Sequence, residues 1–134
     1  MKPLRFFVGA AVALVLCATT AHAQAATSIT PRGTYVLVPD SSYAGPDIAG
    51  LVLTFAEDNT MVVAGPDGSL IVKSKLTFDN GVMTLNDQDG TNVCTNAGKY
   101  RVVGDLKTFK LTLVEDGCQE RSAIITTVKF VRQA

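Results

Sequence analysis

From Gly33 onward, apolar residues fall at every second position in short runs cut by turn residues. That period of two is the spacing of a pleated strand with one buried face, and it constrains this chain more than any other feature. Eight runs carry it: GTYVLV (33–38), LVLTFA (51–56), TMVVAG (60–65), SLIVKSKLTF (69–78), GVMTLN (81–86), GKYRVV (98–103), TFKLTLVE (108–115) and SAIITTVKFV (122–131). They are rich in Val, Ile, Thr, Tyr and Phe, which fit a pleated surface. No window of a dozen residues shows apolar spacing of three and four, so no long helix is expected.

The connections fix how the strands meet. Asp79-Asn80-Gly81 and Pro66-Asp67-Gly68 are tight-turn sequences, and residues 57–59 and 104–107 are equally brief. Strands joined this closely are antiparallel. Alternation assigns Leu70, Val72, Leu76 and Phe78 to one side of the fourth strand, Phe109, Leu111 and Leu113 to one side of the seventh, and Ile124, Val128 and Phe130 to one side of the eighth. The third and fifth strands are ambiguous by alternation; in the third, either Met61 with Val63 or Val62 with Ala64 forms the inner set. The expected fold is a single all-β domain, an eight-stranded antiparallel up-and-down barrel whose closure removes both sheet edges. A two-sheet sandwich with Greek-key connections is the alternative.

The first residues read as an address. Lys2 and Arg5 precede the apolar run FFVGAAVALVLCA (6–18), and Ala21-His22-Ala23 closes the segment. A charged start, a short apolar middle and an A-x-A end make a secretory signal, and the run is shorter than the roughly 20 residues of a membrane span. A lipoprotein signal using Cys17 is disfavoured by Leu16 before it. The expectation is a signal over 1–23, a flexible lead-in over 24–31 and the barrel over 32–134, with the product exported to the periplasm or secreted. Loss of Lys2 and Arg5 leaves 10 basic residues against 12 acidic ones. That balance argues against nucleic acid, which requires clustered Lys and Arg.

Cys17 would leave with the signal, which leaves Cys94 and Cys118. In an oxidising compartment two loop cysteines pair. Two cysteines without a His make a poor zinc set, so neither a metal nor a cofactor is expected. In an up-and-down meander, the loops after strands five and seven share one end, and these are the loops that carry Cys94 and Cys118. The two long loops, 39–50 and 87–97, belong to the same end. A cavity, if the barrel holds one, would open there, with 39–50 as its lid.

Several fragments together resemble the small exported bacterial proteins with a lipocalin-like domain, in the wider calycin group of barrels. They are Gly33-Thr34-Tyr35, then Leu53-Thr54-Phe55 with Gly65-Pro66-Asp67-Gly68, and the series Cys94, Tyr100, Asp116-Gly117-Cys118-Gln119-Glu120-Arg121. The resemblance implies an eight-stranded barrel that carries a small apolar molecule. Tyr35 holds the place of the lipocalin Trp, and Arg132 is the basic residue expected to stack over it at the closed end.

Candidate functional residues follow from the barrel. The interior set is Tyr35, Leu37, Leu53, Phe55, Leu76, Phe78, Leu111 and Phe130. The mouth set is Tyr43, Asp47, Asp87, Asp89 and Arg121, with Arg121 paired to Glu120 or a neighbouring loop acid. Without His, and with its cysteines paired, the exported chain lacks the usual nucleophile–base partners, and no catalysis is expected. Asp87-Gln88-Asp89-Gly90 fails as a calcium loop because Leu85 stands where a further acid is needed. Eight of the 12 acids, Asp40, Asp47, Asp67, Asp87, Asp89, Glu115, Asp116 and Glu120, gather toward the disulfide end. The reading is therefore a non-enzymatic barrel for a small apolar ligand. The alternative is a module that binds a basic protein, such as a lysozyme or protease inhibitor, through the acidic rim.

Overall fold

A computed structural model describes residues 28–134 of the chain. The expected signal segment and the first part of the lead-in lie outside the described residues. Eight strands run in order: β1 (Gly33–Pro39), β2 (Val52–Phe55), β3 (Thr60–Ala64), β4 (Leu70–Asp79), β5 (Val82–Gly90), β6 (Gly98–Gly104), β7 (Thr108–Asp116) and β8 (Val128–Arg132). Each pairs antiparallel with its neighbour in sequence, and β8 returns to β1, so the sheet is a closed up-and-down barrel. One short helix, α1 (Gln119–Ile125), sits between β7 and β8.

Turn chemistry dictates the tight connections. Asn80 and Gly81 both take positive φ, at 49° and 76°. That pair of left-handed residues is what a two-residue hairpin with the native strand twist requires. Asp67 caps its turn by accepting the Ser69 N–H and hydroxyl at 3.0 and 2.6 Å.

Inward side chains fill one half of the barrel. Tyr35, Phe55, Phe109 and Phe130 are buried at the end opposite the disulfide. Tyr35 meets Phe55 and Phe109 edge to face at 5.4 and 5.1 Å, and Phe109 stacks on Phe130 at 4.7 Å. These are the offset and T-shaped geometries that ring quadrupoles favour. The Tyr35 hydroxyl donates to the Leu106 carbonyl at 2.7 Å, so the one polar atom of the plug is satisfied. Ile29 packs against this core and Pro31 is buried beneath it.

Three sequence assignments need correction. Residues 122–127 read as the start of the eighth strand, yet 119–125 form α1 and β8 begins only at Val128. The β-branched tract loses to local bonding: the Thr126 and Thr127 hydroxyls donate to the Ser122 and Ala123 carbonyls at 2.7 Å, completing a helical turn. Leu113, placed inside by alternation, is 53% exposed. β7 and β8 share only two register pairs, so on the side away from β6 the far end of β7 has no strand beside it and meets α1. Leu70 is likewise exposed, at the frayed start of β4. The open choice in β3 resolves to Met61 and Val63 inside.

The closed end is also capped differently. Arg132 lies opposite Tyr35 in the β1–β8 register, and its guanidinium comes against Gly33. Among the described residues, the cation over an aromatic ring is Arg32, at 5.7 Å from the Phe78 centroid, and not Arg132 over Tyr35. Arg32 is held there by Asn59 Oδ1 at 2.6 Å and by Glu57 at 3.6 Å.

Candidate functional site: a half-open cavity with a buried ionic latch

Strand periodicity builds the site. On β1, β2, β4, β7 and β8 the inner face carries Tyr35, Phe55, Phe78, Phe109 and Phe130 toward the closed end, and aliphatic or polar residues stand toward the disulfide end. A cavity of about 1000 Å³ results, open at the disulfide end. Its walls are aliphatic: Leu37 from β1, Leu53 from β2, Met61 and Val63 from β3, Met83 and Leu85 from β5, Leu111 from β7, Val128 and Phe130 from β8. The 40–51 connection folds over the mouth and drives Ile48 into it, where that side chain is buried. Asp47 sets this turn by accepting the Ala49 N–H at 2.9 Å. Tyr43 donates to the Pro46 carbonyl at 2.5 Å and so braces the same loop. At its root, Asp40 accepts Ser42 N–H and hydroxyl and pairs with Lys110 Nζ at 3.0 Å, which holds its carboxyl down at about 2.

Opposite the loop is a cluster that sequence alternation partly hides. A register shift between Lys73 and Ser74 turns Asp89 outward, while Ser74 and Asp87, on the near side of it, keep the inward parity of Leu76 and Leu85 and stand opposite each other. A second shift, between Lys99 and Tyr100, brings Asp116 across from Gly98. Such bulges re-aim side chains. Arg121, from the first turn of α1, reaches between the two acids. Its Nη1 donates to Asp87 Oδ2 at 3.0 Å, its Nε to Asp116 Oδ2 at 2.7 Å, and its Nη2 to Asp116 Oδ1 and the Asn96 carbonyl at 2.8 and 2.6 Å. The side chains of Arg121, Asp87 and Asp116 are 8%, 3% and 0% exposed.

This cluster and the disulfide form one structure. Cys94 and Cys118 are bonded, with Cα atoms 6.1 Å apart. The Cys94 N–H donates to Asp87 Oδ2 at 2.9 Å and the Cys118 N–H to Asp116 Oδ1 at 2.8 Å. Each half of the covalent link is thus tied to one of the carboxylates that Arg121 joins. Ser74 Oγ completes Asp87 at 2.7 Å, and the Tyr100 hydroxyl donates to Asp116. Gly98 makes room: a methyl there would sit 2.5 Å from Asp116 Oδ2 and 2.8 Å from Arg121 Nη2. Among the described residues no buried side-chain polar atom lacks a partner.

The electrostatics are those of a latch. Burial alone would raise the Asp116 carboxyl, but the donors from Arg121, Tyr100 and Cys118 outweigh it and hold it below the usual carboxylate range. Burial and the hydrogen bond to Asp116 push the Tyr100 hydroxyl well above the ordinary phenol. Burial opposes the Arg121 charge, but Asp116 and Asp87 more than restore it. All three shifts lead away from neutrality, the reverse of what proton transfer near pH 7 requires.

The candidate residues therefore divide. Leu37, Leu53, Leu111 and Phe130 line the cavity, whereas Tyr35, Phe55, Leu76 and Phe78 belong to the packed closed end. Asp47, Asp87 and Arg121 line the mouth, and Asp89 is exposed on the outer face of β5, across from Lys73. Asp87 and Asp89 stand in β5, which continues to Gly90, and not in a loop. Arg121 pairs with Asp87 and Asp116 rather than with Glu120. Ile48, Met61, Val63, Met83, Leu85 and Val128 complete the cavity. The loop position of Ile48 gave no alternation signal, and in the fifth run, ambiguous by alternation, the structure puts Met83 and Leu85 inside. Among the described residues, no group of His, Cys, Asp or Glu is placed to hold a metal ion, and no helix is long and apolar enough to cross a membrane. The eight strands and their closed order are consistent with a calycin-like barrel. No family model, curated protein or solved structure shows a significant match to this chain.

Proposed function

We propose that this chain is an exported, non-enzymatic binding barrel of the lipocalin-like kind that takes a small apolar molecule into its interior. The observation that carries this reading is the aliphatic-walled cavity of about 1000 Å³ with one mouth. It matches the upper range of small-molecule sites, roughly 300–1,000 Å³. The ionic latch joins α1 and the 91–97 loop to β5 and β7 and is itself fully bonded, so it reads as scaffold rather than as acid–base machinery. A disulfide suits an oxidising compartment.

The test is titration with N-phenyl-1-naphthylamine, an uncharged apolar fluorophore. Saturable binding is expected for the parent chain. Met83→Trp, which places a large ring on the inner wall, should abolish binding while the far-ultraviolet circular dichroism remains that of a barrel. Non-saturable fluorescence from the parent chain would refute the reading.

The alternative, a basic protein held by the acidic rim, draws on fewer groups than the sequence suggested. Asp87 and Asp116 are consumed by Arg121, and Asp40 by Lys110. Asp47, Asp67, Asp89, Glu115 and Glu120 remain exposed. Salt-sensitive capture of a basic lysozyme would favour this second reading.

A further inference from the structure

We propose that the cavity selects an uncharged single-chain amphiphile, such as a long-chain alcohol or ester, and rejects the carboxylate of the same chain. This inference rests on the binding reading above and adds the chemical class of the ligand.

The walls require a long apolar body. A head group at the mouth would meet Thr91, Asn92 and Thr95, which offer uncharged donors and acceptors. The charges there are unequal. Asp47, Asp87 and Glu120 line the cavity, and among the described lining residues Arg121 is the sole Lys, Arg or His. In a cavity of this shape a lone arginine ordinarily would attract a carboxylate by a bidentate contact. Here that fork is already occupied: Nε and Nη2 grip Asp116, Nη1 grips Asp87, and Nη2 also holds the Asn96 carbonyl. One positive charge is met by two negative ones, so the cluster carries a formal charge of −1 before Asp47 and Glu120 are counted. An anionic head would find no available cation and face like charge. A hydroxyl or ester head incurs none of these penalties.

Displacement of N-phenyl-1-naphthylamine by 1-dodecanol and by dodecanoate at pH 8 measures the preference. The alcohol should displace the reporter at a concentration at least about tenfold lower. Intrinsic hydrophobicity also favours an alcohol, so the deciding readout is the ratio of the two affinities in an Asp47→Lys/Glu120→Lys variant. That ratio should fall by about tenfold, and in the parent chain it should narrow in 0.5 M salt, about the ionic strength that screens exposed charge. A ratio unmoved by both the charge reversal and the salt, or a carboxylate that binds as tightly as the alcohol, overturns the inference and leaves the binding barrel standing. Failure of the reporter to bind the parent chain overturns both.

Discussion

Replacing Arg121 by Leu is the sharpest perturbation of this barrel. Arg121 makes three of the hydrogen bonds that satisfy Asp87 and Asp116, and all three side chains are at least nine-tenths buried. Its removal strands two carboxylates inside the mouth. Breaking a buried ion pair in this way costs roughly 3–5 kcal/mol. The lower end applies here, because Asp87 keeps Ser74 and the Cys94 N–H, and Asp116 keeps Tyr100 and the Cys118 N–H. A loss of about 3 kcal/mol in urea unfolding at pH 7 is therefore expected.

The pH dependence distinguishes stranded charge from lost packing. In the parent chain Asp116 is held below its ordinary range, so its contribution is present at neutral pH and is lost as pH falls from about 4 through the lower folded value. In Arg121→Leu the unpaired acids shift upward and take up protons while folded, so the variant gains relative stability on acidification. The gap between the two chains should close between about pH 6 and pH 4. The triple variant Asp87→Asn/Asp116→Asn/Arg121→Leu, which removes all three charges, should recover most of the loss. A single-variant deficit below about 1 kcal/mol, or one that widens in acid, would refute the account of the cluster as a charge-balanced latch.

Three further perturbations test the same region. Cys94→Ala/Cys118→Ala opens a loop of 24 residues in sequence separation, which the chain-entropy model values at about 3.5 kcal/mol; urea unfolding should show that loss, and a change under 1 kcal/mol would contradict it. Because each cysteine N–H bonds one latch carboxylate, this double variant combined with Arg121→Leu should destabilise less than the two losses added, by at least about 0.5 kcal/mol, in a thermodynamic cycle. Gly98→Ala forces a methyl against Asp116 and Arg121 and should cost about 1–3 kcal/mol by the same assay, whereas Gly68→Ala, where no atom lies within 4 Å, meets only its own positive φ.

Period-two alternation carried most of the closed end of this fold, although it left the inner set of β3 open. Tyr35, Phe55, Leu76 and Phe109 stand inside as their parity demands, because regular strands with a single buried face leave no other register open. The up-and-down order of the strands placed Cys94 and Cys118 at one end, and they are bonded there. Toward the mouth parity fails in three particular places. Register shifts at Lys73/Ser74 and Lys99/Tyr100 insert one residue each, after which alternation reports the wrong neighbour. The Ile124-Ile125-Thr126-Thr127-Val128 tract has strand propensity, and only the polar Thr126 interrupting the inner set of the eighth run signals that the strand has not begun. Ile48 sits in a loop with no period at all. Its burial is set by the Asp47 turn and the neighbouring walls, which no local pattern encodes.

These failures of pattern share one physical cause. A barrel of eight regular strands with large inward residues packs solid, as the aromatic end of this one does. To leave a cavity the mouth must depart from regularity. β8 stops short, α1 replaces its start, a bulge turns Asp116 inward, and the polar Ser74 and Asp87 hold inward positions where apolar residues would otherwise close the space. An opening built this way lacks the strand pairing that holds the rest of the sheet, since β7 meets β8 at only two register pairs. The disulfide, the two acids and Arg121 stand beside that gap and join β5, the 91–97 loop, β7 and α1 by covalent and charge-assisted bonds instead. Stability withdrawn from the sheet is restored by the latch, so the residues that escape the strand pattern are the ones that keep a hollow barrel from collapsing.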